Sequence, residues 1–241
     1  VVSSDIEVVV LNDGPEDETL NLCKSYSDKL NIKCLWTGKD CPSHWRSPGI
    51  AINRGAVQAN GDIFILCCAE IFHLNKTISC LTDPFVENQN IMTVPCSECM
   101  WDDNGSFLND IEKQMKEGID VDSFAIAANP GQLLNHIRKL KNSHLPFLMG
   151  VSRKKFFEIG GYDEDFTGIA FEDVDLVERL KMSGCNQLRV DAKAVHLFHP
   201  RGYHTMAAHI YKRKYRFNKN LYLSRKDSVI RNIGKEWGKM P

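Results

Sequence analysis

The chain has 241 residues, 43% hydrophobic and 25% charged, a size that fits one globular domain of the larger kind or two small ones; one is expected. Its 30 basic and 31 acidic residues give a formal charge of -1, so no global charge favours nucleic acid or an anionic membrane, and any such role must be local. No window approaches the roughly 18 uninterrupted apolar residues of a spanning helix, and the opening VVSSDIEVVVLNDG lacks the sections of a secretory signal, so a soluble chain is expected.

In chain order, Asp5–Leu11 ends in the apolar run Val8–Leu11, the pattern of a buried parallel strand. The turn Asn12-Asp13-Gly14-Pro15 follows, then a helix over Glu16–Leu30 and a strand over Ile32–Trp36, which together make a βαβ unit. Ligands of such units bind at the carboxyl ends of the strands, where this turn lies. Trp45–Gly61 has helical spacing through Ile52, Ala56 and Val57, and Asp62–Cys68 is an apolar strand running to Glu70. A helix over Leu74–Leu81, a strand over Asn90–Pro95, an insertion over Asp102–Gly131 carrying one helix at Phe107–Met115, and an amphipathic helix over Gln132–Leu140 come next. Cys96 and Cys99 form a lone C-x-x-C pair with no further ligands nearby, and nine scattered cysteines read as reduced thiols of a cytoplasmic protein.

Phe147–Val151 reads as a buried strand and Lys154–Ile159 as a short helix ended by Gly160-Gly161, which permit positive φ. An amphipathic helix then opens on Glu172-Asp173. Acidic residues there also have a plain capping role against the helix dipole. Gln187–Leu197 is read as one strand ending at His196 and His199, whose i, i+3 spacing on a strand points them apart; one metal ligand, His196, is favoured, with His199 next. Arg201–Lys219 is a basic segment with interleaved aromatics, and Leu221–Pro241 is expected to be helix and then a frayed end. That basic tail reads as a flap over a diphosphate, or as a contact to phosphate or an anionic membrane surface, and no nucleic-acid motif accompanies it.

Three of these stretches resemble, in order, motifs of nucleotide-sugar glycosyltransferases with the GT-A fold, family 2 and its relatives. Gly160-Gly161-Tyr162-Asp163-Glu164 followed by Glu172-Asp173-Val174-Asp175-Leu176 resembles their GG-F-D-E and ED-x-D signature, also seen in galactosyl- and N-acetylgalactosaminyltransferases. The resemblance implies that Asp173 is the general base toward an acceptor hydroxyl, with Glu172 beside it. Ile169-Ala170-Phe171 departs from the Trp-Gly-Gly of many relatives. VVVLNDGPEDET resembles the strand ending V-D-D-G, which implies nucleotide contacts for Asp13 and for Asn12. Asn53 and Gly55 fall on the family's A-R-N-x-G helix pattern, where Arg54 or Arg46 is placed to neutralise a pyrophosphate. A surface salt bridge is the alternative for either arginine.

Cys68-Ala69-Glu70 stands where the family carries D-x-D, so Glu70 is expected to hold Mn²⁺ or Mg²⁺ and the Cys68 thiol to pack against the ribose. A histidine at the place of His196 completes the metal shell in that family. A core strand ending at a surface glutamate is the other reading of Glu70. The expectation is thus an α/β domain of GT-A type, Rossmann-like with a mostly parallel central sheet, lacking the family's first strand. Residues 1–95 would bind the nucleotide sugar, 145–200 the acceptor, and 201–241 form a helical tail. The activity implied is metal-dependent, inverting transfer from a UDP-sugar to a glycan, lipid-linked or protein hydroxyl, in the cytoplasm or at the inner face of a membrane. The alternative, supported by the altered metal motif, is a non-catalytic nucleotide-sugar or glycan binding module.

Overall fold

The computed structural model describes residues 6–12, 18–36, 47–74, 76–95, 100–102, 105–118, 137–139, 148–168, 170–199 and 208–240. In chain order the elements begin β1 (Glu7–Asn12), α1 (Glu18–Ser25), β2 (Asn31–Trp36), α2 (Pro48–Gln58), β3 (Ile63–Cys67), β4 (Ile71–His73), α3 (Thr77–Thr82), a 3₁₀ turn (Asp83–Val86) and β5 (Ile91–Pro95). They continue with β6 (Met100–Asp102), α4 (Ser106–Lys116), β7 (Ile137–Lys139), β8 (Leu148–Ser152), α5 (Arg153–Glu158), α6 (Glu172–Met182), β9 (Asn186–Val190), β10 (Ala194–His196) and α7 (Ala208–Arg225). They group into two compact units: Val1–Phe64 with Arg153–Ser183 and Ala208–Pro241, and Ile65–Ser152 with Gly184–Ala207.

In the first unit β1 and β2 pair in parallel, from Glu7 opposite Asn31 to Asn12 opposite Trp36, and α1 joins them as the βαβ pattern requires. Helix α1 is shorter than expected. The hydroxyls of Ser25 and Ser27 bond back to the carbonyls of Leu22 and Lys24 at 2.7 and 2.8 Å, offering the backbone a way out of the helix. Helix α2 starts where Ser47 Oγ accepts the Gly49 N–H at 3.3 Å and Pro48 supplies a helical φ. It lies close on β1, since a Cβ on Gly55 would come within 2.5 Å of Leu11 Cδ2. Phe156 of α5 is fully buried and meets Phe64 edge to face at 5.6 Å.

The described segment after α7, through Met240, is not frayed. Arg231 and Asn232 are buried, and Trp237 stacks near Phe157 with ring centroids 5.5 Å apart. Polar side chains with buried backbone partners give this non-helical segment the fixed path that apolar periodicity does not announce.

In the second unit one sheet has the order β3, β8, β5, β9, with β5 antiparallel to β8 and parallel to β9. All five residues of β5 and of β8 are buried, which suits their continuous apolar sequence. A second sheet has the order β4, β10, β6, β7. The expected strand over Gln187–Leu197 is therefore two strands: β9 pairs with β5, and β10 pairs antiparallel with β4 and parallel with β6. Ala192, fully buried between them, marks the break. Within the expected helix over Gln132–Leu140, Ile137–Lys139 is instead the strand β7, because β6 offers an antiparallel ladder from Met100–Lys139 to Asp102–Ile137. The expected helix at Leu74 begins only at Thr77, after the strand β4 that the sequence reading missed.

Candidate functional site

The carboxylate pair of the first unit is built from the turn after α5. Gly160 and Gly161 take φ of 76° and 63°. A Cβ at Gly160 would lie 2.3 Å from the Arg231 carbonyl oxygen and one at Gly161 2.5 Å from Asn53 Oδ1, so only glycine admits both neighbours. Tyr162 follows, gripped at its backbone: its N–H donates to Asn53 Oδ1 at 2.8 Å, and its carbonyl accepts from Asn53 Nδ2 at 2.9 Å and Asn232 Nδ2 at 2.7 Å. With the backbone fixed, the phenol O–H reaches Asp173 Oδ1 at 3.1 Å.

The approach to α6 is strained. Ala170 and Phe171 both have positive φ, 86° and 73°, the region that glycine enters freely and side-chain-bearing residues do not. Helix α7 holds them there. Asn218 Oδ1 accepts the Thr167 N–H at 3.1 Å, and its Nδ2 donates to the carbonyls of Thr167 and Ala170, both at 3.0 Å. The Phe171 ring stacks on Tyr222 at 5.7 Å and meets Tyr215 edge-on at 5.2 Å. These contacts offset the roughly 1–3 kcal/mol per residue that such a backbone costs.

The acids of this region divide by partner. Asp175 is shared by Arg179 Nε and Arg231 Nη2, each at 2.6 Å, and Asp163 lies 2.7 Å from Arg225 Nη1 and 3.2 Å from Arg231 Nε. These two pin the loop to α6 and to the chain end. Glu172 has no cationic partner among the described residues, and its buried Oε2 lacks a hydrogen bond. Burial, with Asp173 adding repulsion, pushes Glu172 up to about 8. Burial likewise raises Asp173 to about 6, against the opposing hydrogen bond from Tyr162. At neutral pH the pair is thus one carboxylic acid beside one carboxylate with the basicity to take a proton.

In the second unit Glu70 sits in the turn between β3 and β4, and His196 ends β10 in register with Ile71, the residue after Glu70. The Leu197 N–H donates to the Glu70 carbonyl at 2.8 Å, locking that junction. His196 Nε2 and His199 Nε2 lie 3.4 and 3.5 Å from Glu70 Oε1, and one ligand atom from each of the three residues falls within 4.8 Å of the others. The expected divergence of the histidines is corrected here: the strand stops at His196, so strand alternation no longer governs His199, and the rings face one another at 5.2 Å.

The donor set fits a divalent cation. His196 Nδ1 lies 3.0 Å from the Leu197 carbonyl, which can only accept, so Nδ1 carries the proton. With Nδ1 so engaged, Nε2 is the nitrogen that His196 would offer to a cation held beside the Glu70 carboxylate, 3.4 Å away. A ligating histidine tied to a backbone carbonyl through its other nitrogen is the usual outer-shell support of a metal ligand. One carboxylate and two imidazoles suit a transition-metal ion, which accepts nitrogen ligands, better than Mg²⁺, which takes oxygen. The hydrogen bond from His196 holds the Glu70 carboxyl below its ordinary range, ahead of the opposing effect of burial.

Asn12 ends β1 opposite Trp36, and Arg54 is half-buried on α2. Asp13, Arg46, Cys96, Cys99 and Arg201 lie outside the described residues. Ala69 is exposed in the turn before Glu70. Asn53 is fully buried and its side chain clamps the loop, bonded to the Tyr162 backbone and to Glu164 Oε1 at 3.0 Å. Cys68 is partly buried and packs on the apolar cluster of Ile71, Leu81, Leu148, Ala192 and Ala194. The sequence reading missed Tyr162 as the partner of Asp173 and missed Asn218, Arg231 and Asn232 altogether. An arginine and an asparagine in a polar tail carry no periodic signal that would have marked them.

The model of the family described as glycosyltransferase like family 2 matches residues 2–228. No curated protein matches the chain by sequence. Among solved structures, GalNAc-T7 with UDP, GalNAc and Mn²⁺ is similar at a TM-score of 0.53 and 16% identity, over 81% of this chain and 38% of that one. The mannosyltransferase PcManGT from Pyrobaculum calidifontis, in complex with GDP-Man and Mn²⁺, is similar at 0.52 and 14% identity, over 91% of this chain and 53% of that one. The chain thus spans about two fifths and about half of these two proteins, and the likeness is one of fold: mixed α/β, of the GT-A type.

Proposed function

The chain belongs to the glycosyltransferase family 2-like proteins, and from that premise we propose that it transfers a sugar from a nucleotide-diphosphate sugar, a UDP-sugar in the first instance, to a hydroxyl acceptor on a glycan, lipid or protein. The observation that carries the reading is the pair of a buried Glu172 and a half-buried Asp173, in which Asp173 has a raised basicity and a fixed phenol partner. Asp173 takes the proton of the acceptor hydroxyl while its oxygen attacks the anomeric carbon. The bond from that carbon to the diphosphate breaks, and the nucleoside diphosphate leaves with the electron pair. A single displacement of this kind inverts the anomeric centre. Glu172, protonated at neutral pH, leaves Asp173 as the one ionised carboxylate of the pair.

Glu70, His196 and His199 would hold the divalent ion, which when bound offsets charge on the departing diphosphate. The Mn²⁺ and nucleotide or nucleotide sugar in both similar structures support this assignment. The second reading, a nucleotide-sugar or glycan binding module, is favoured by Cys68, which leaves Glu70 the only carboxylate of that motif. The test is nucleoside diphosphate release from a panel of UDP- and GDP-sugars, with Mn²⁺ or with chelator. The transferase reading predicts release from one donor that requires Mn²⁺ and is lost in Glu70→Ala. Tight donor binding without release under any metal condition would establish the binding module instead.

A further inference from the structure

Helix α7, whose inner face clamps the strained turn before Glu172, carries a second surface that the proposed reaction does not use. Six of the chain's 30 Lys and Arg, and none of its 31 Asp and Glu, lie within its 18 residues. Arg225 is taken up by ion pairs to Asp163 and Asp165 at 2.7 and 2.9 Å, anchoring the helix to the first unit. Lys212, Arg213, Arg216 and Lys219 are exposed, and none of these four has an acidic partner among the described residues.

Their spacing places them together. Lys212, Arg216, Lys219 and Leu223 follow one another at four, three and four residues along one stripe, with Arg213 and Phe217 flanking it. Asn218, buried and bonded to the turn, lies on the other side of the helix. Apolar side chains stand exposed among the charges: Phe217 is 50% accessible, Leu223 49%, and Ile233 just beyond the helix 77%. A solvated helix face intersperses both signs of charge, as Glu178 and Lys181 do on α6. A face of one sign, with exposed aliphatic and aromatic residues among its charges, complements the negative surface of an anionic bilayer.

We propose that the outer face of α7 is a docking surface for a membrane containing anionic lipid. Lys212, Arg213, Arg216 and Lys219 meet the headgroup charge, and Phe217 and Leu223 enter the boundary with the acyl chains. Nucleic acid shares the charge complementarity, but the exposed aliphatic residues favour the bilayer.

The experiment is co-sedimentation of the full chain with phosphatidylcholine vesicles with and without about a third phosphatidylserine. Chelator is present and no donor is added, so the outcome is independent of the transferase reading. The proposal predicts binding only to the anionic vesicles, weakening at least tenfold as salt rises from about 50 to 200 mM. Replacing Lys212, Arg213, Arg216 and Lys219 together by Glu abolishes it, with an unchanged circular dichroism spectrum. Phe217→Ala with Leu223→Ala, which keeps every charge, weakens it several-fold and separates insertion from pure charge attraction. No sedimentation with anionic vesicles at low salt, binding untouched by the charge reversal, or tighter binding to single-stranded RNA than to vesicles would each overturn the proposal.

Discussion

Glu172 and Asp173 in the first unit and Glu70 in the second are carboxylates at element boundaries, yet their surroundings drive them in opposite directions. Burial lifts the first two to about 8 and about 6, while the His196 hydrogen bond holds Glu70 below its ordinary range. The first pair is secured by side chains distant in sequence, Asn53, Asn218, Arg231 and Asn232; Glu70 is secured by the strand register of β4 and β10. A carboxylate partly withdrawn from water and short of cations is equipped to exchange a proton. One faced by imidazole nitrogens at 3.4 and 3.5 Å is equipped to share a cation.

The contrast can be broken most severely at Asp173. Asp173→Asn keeps the shape of the base and removes its proton affinity, so acceptor-dependent transfer should fall ~10²–10⁴-fold with donor binding retained, as measured by steady-state kinetics and calorimetry. Next in size is Arg231→Leu, which leaves Asp163 and Asp175 short of a buried cation. Urea unfolding should show a loss of ~3–5 kcal/mol. His199→Ala in the second unit should stay within about 0.5 kcal/mol, because that side chain is 43% exposed and its segment is held by strands.

Glu172→Gln tests the buried acid by pH. A carboxyl whose folded value is raised binds more protons folded than unfolded, so its stabilising contribution is complete below about 4.5 and is lost as pH rises through about 8. The wild type should therefore lose on the order of a few kcal/mol across that window. Glu172→Gln should show a flatter profile and be the more stable of the two at pH 9, by thermal unfolding in a pH series. Asn218→Leu is a smaller loss than that at Arg231. It leaves the Thr167 and Ala170 carbonyls unmet and should cost ~1–3 kcal/mol, read by the same denaturant titration.

Much of the frame was legible from local pattern. The run Val8–Leu11 announced β1 and its parallel partner, and Gly160-Gly161 announced the turn that only positive φ allows. The acids Glu172 and Asp173 marked the start of α6. Their energetics were not legible, because burial comes from residues up to the far end of the chain. Ala170 and Phe171 gave no sign of the glycine-like backbone they adopt, since the compensation comes from Asn218, Tyr215 and Tyr222 on α7. The meeting of His196 and His199 was hidden by treating the chain as strand beyond the point where β10 ends. Strand β7 was hidden by a helical spacing that an available sheet edge overrode.

The most direct test of the account is the pH dependence of kcat/KM for transfer from the donor that the panel identifies, in the wild type and in Asp173→Asn. The base assignment predicts a wild-type rate that rises with pH to a plateau with a midpoint near the Asp173 value of about 6, and a residual rate in Asp173→Asn that lacks this limb. The same limb and a similar rate in both proteins would contradict it and move the proton transfer away from Asp173.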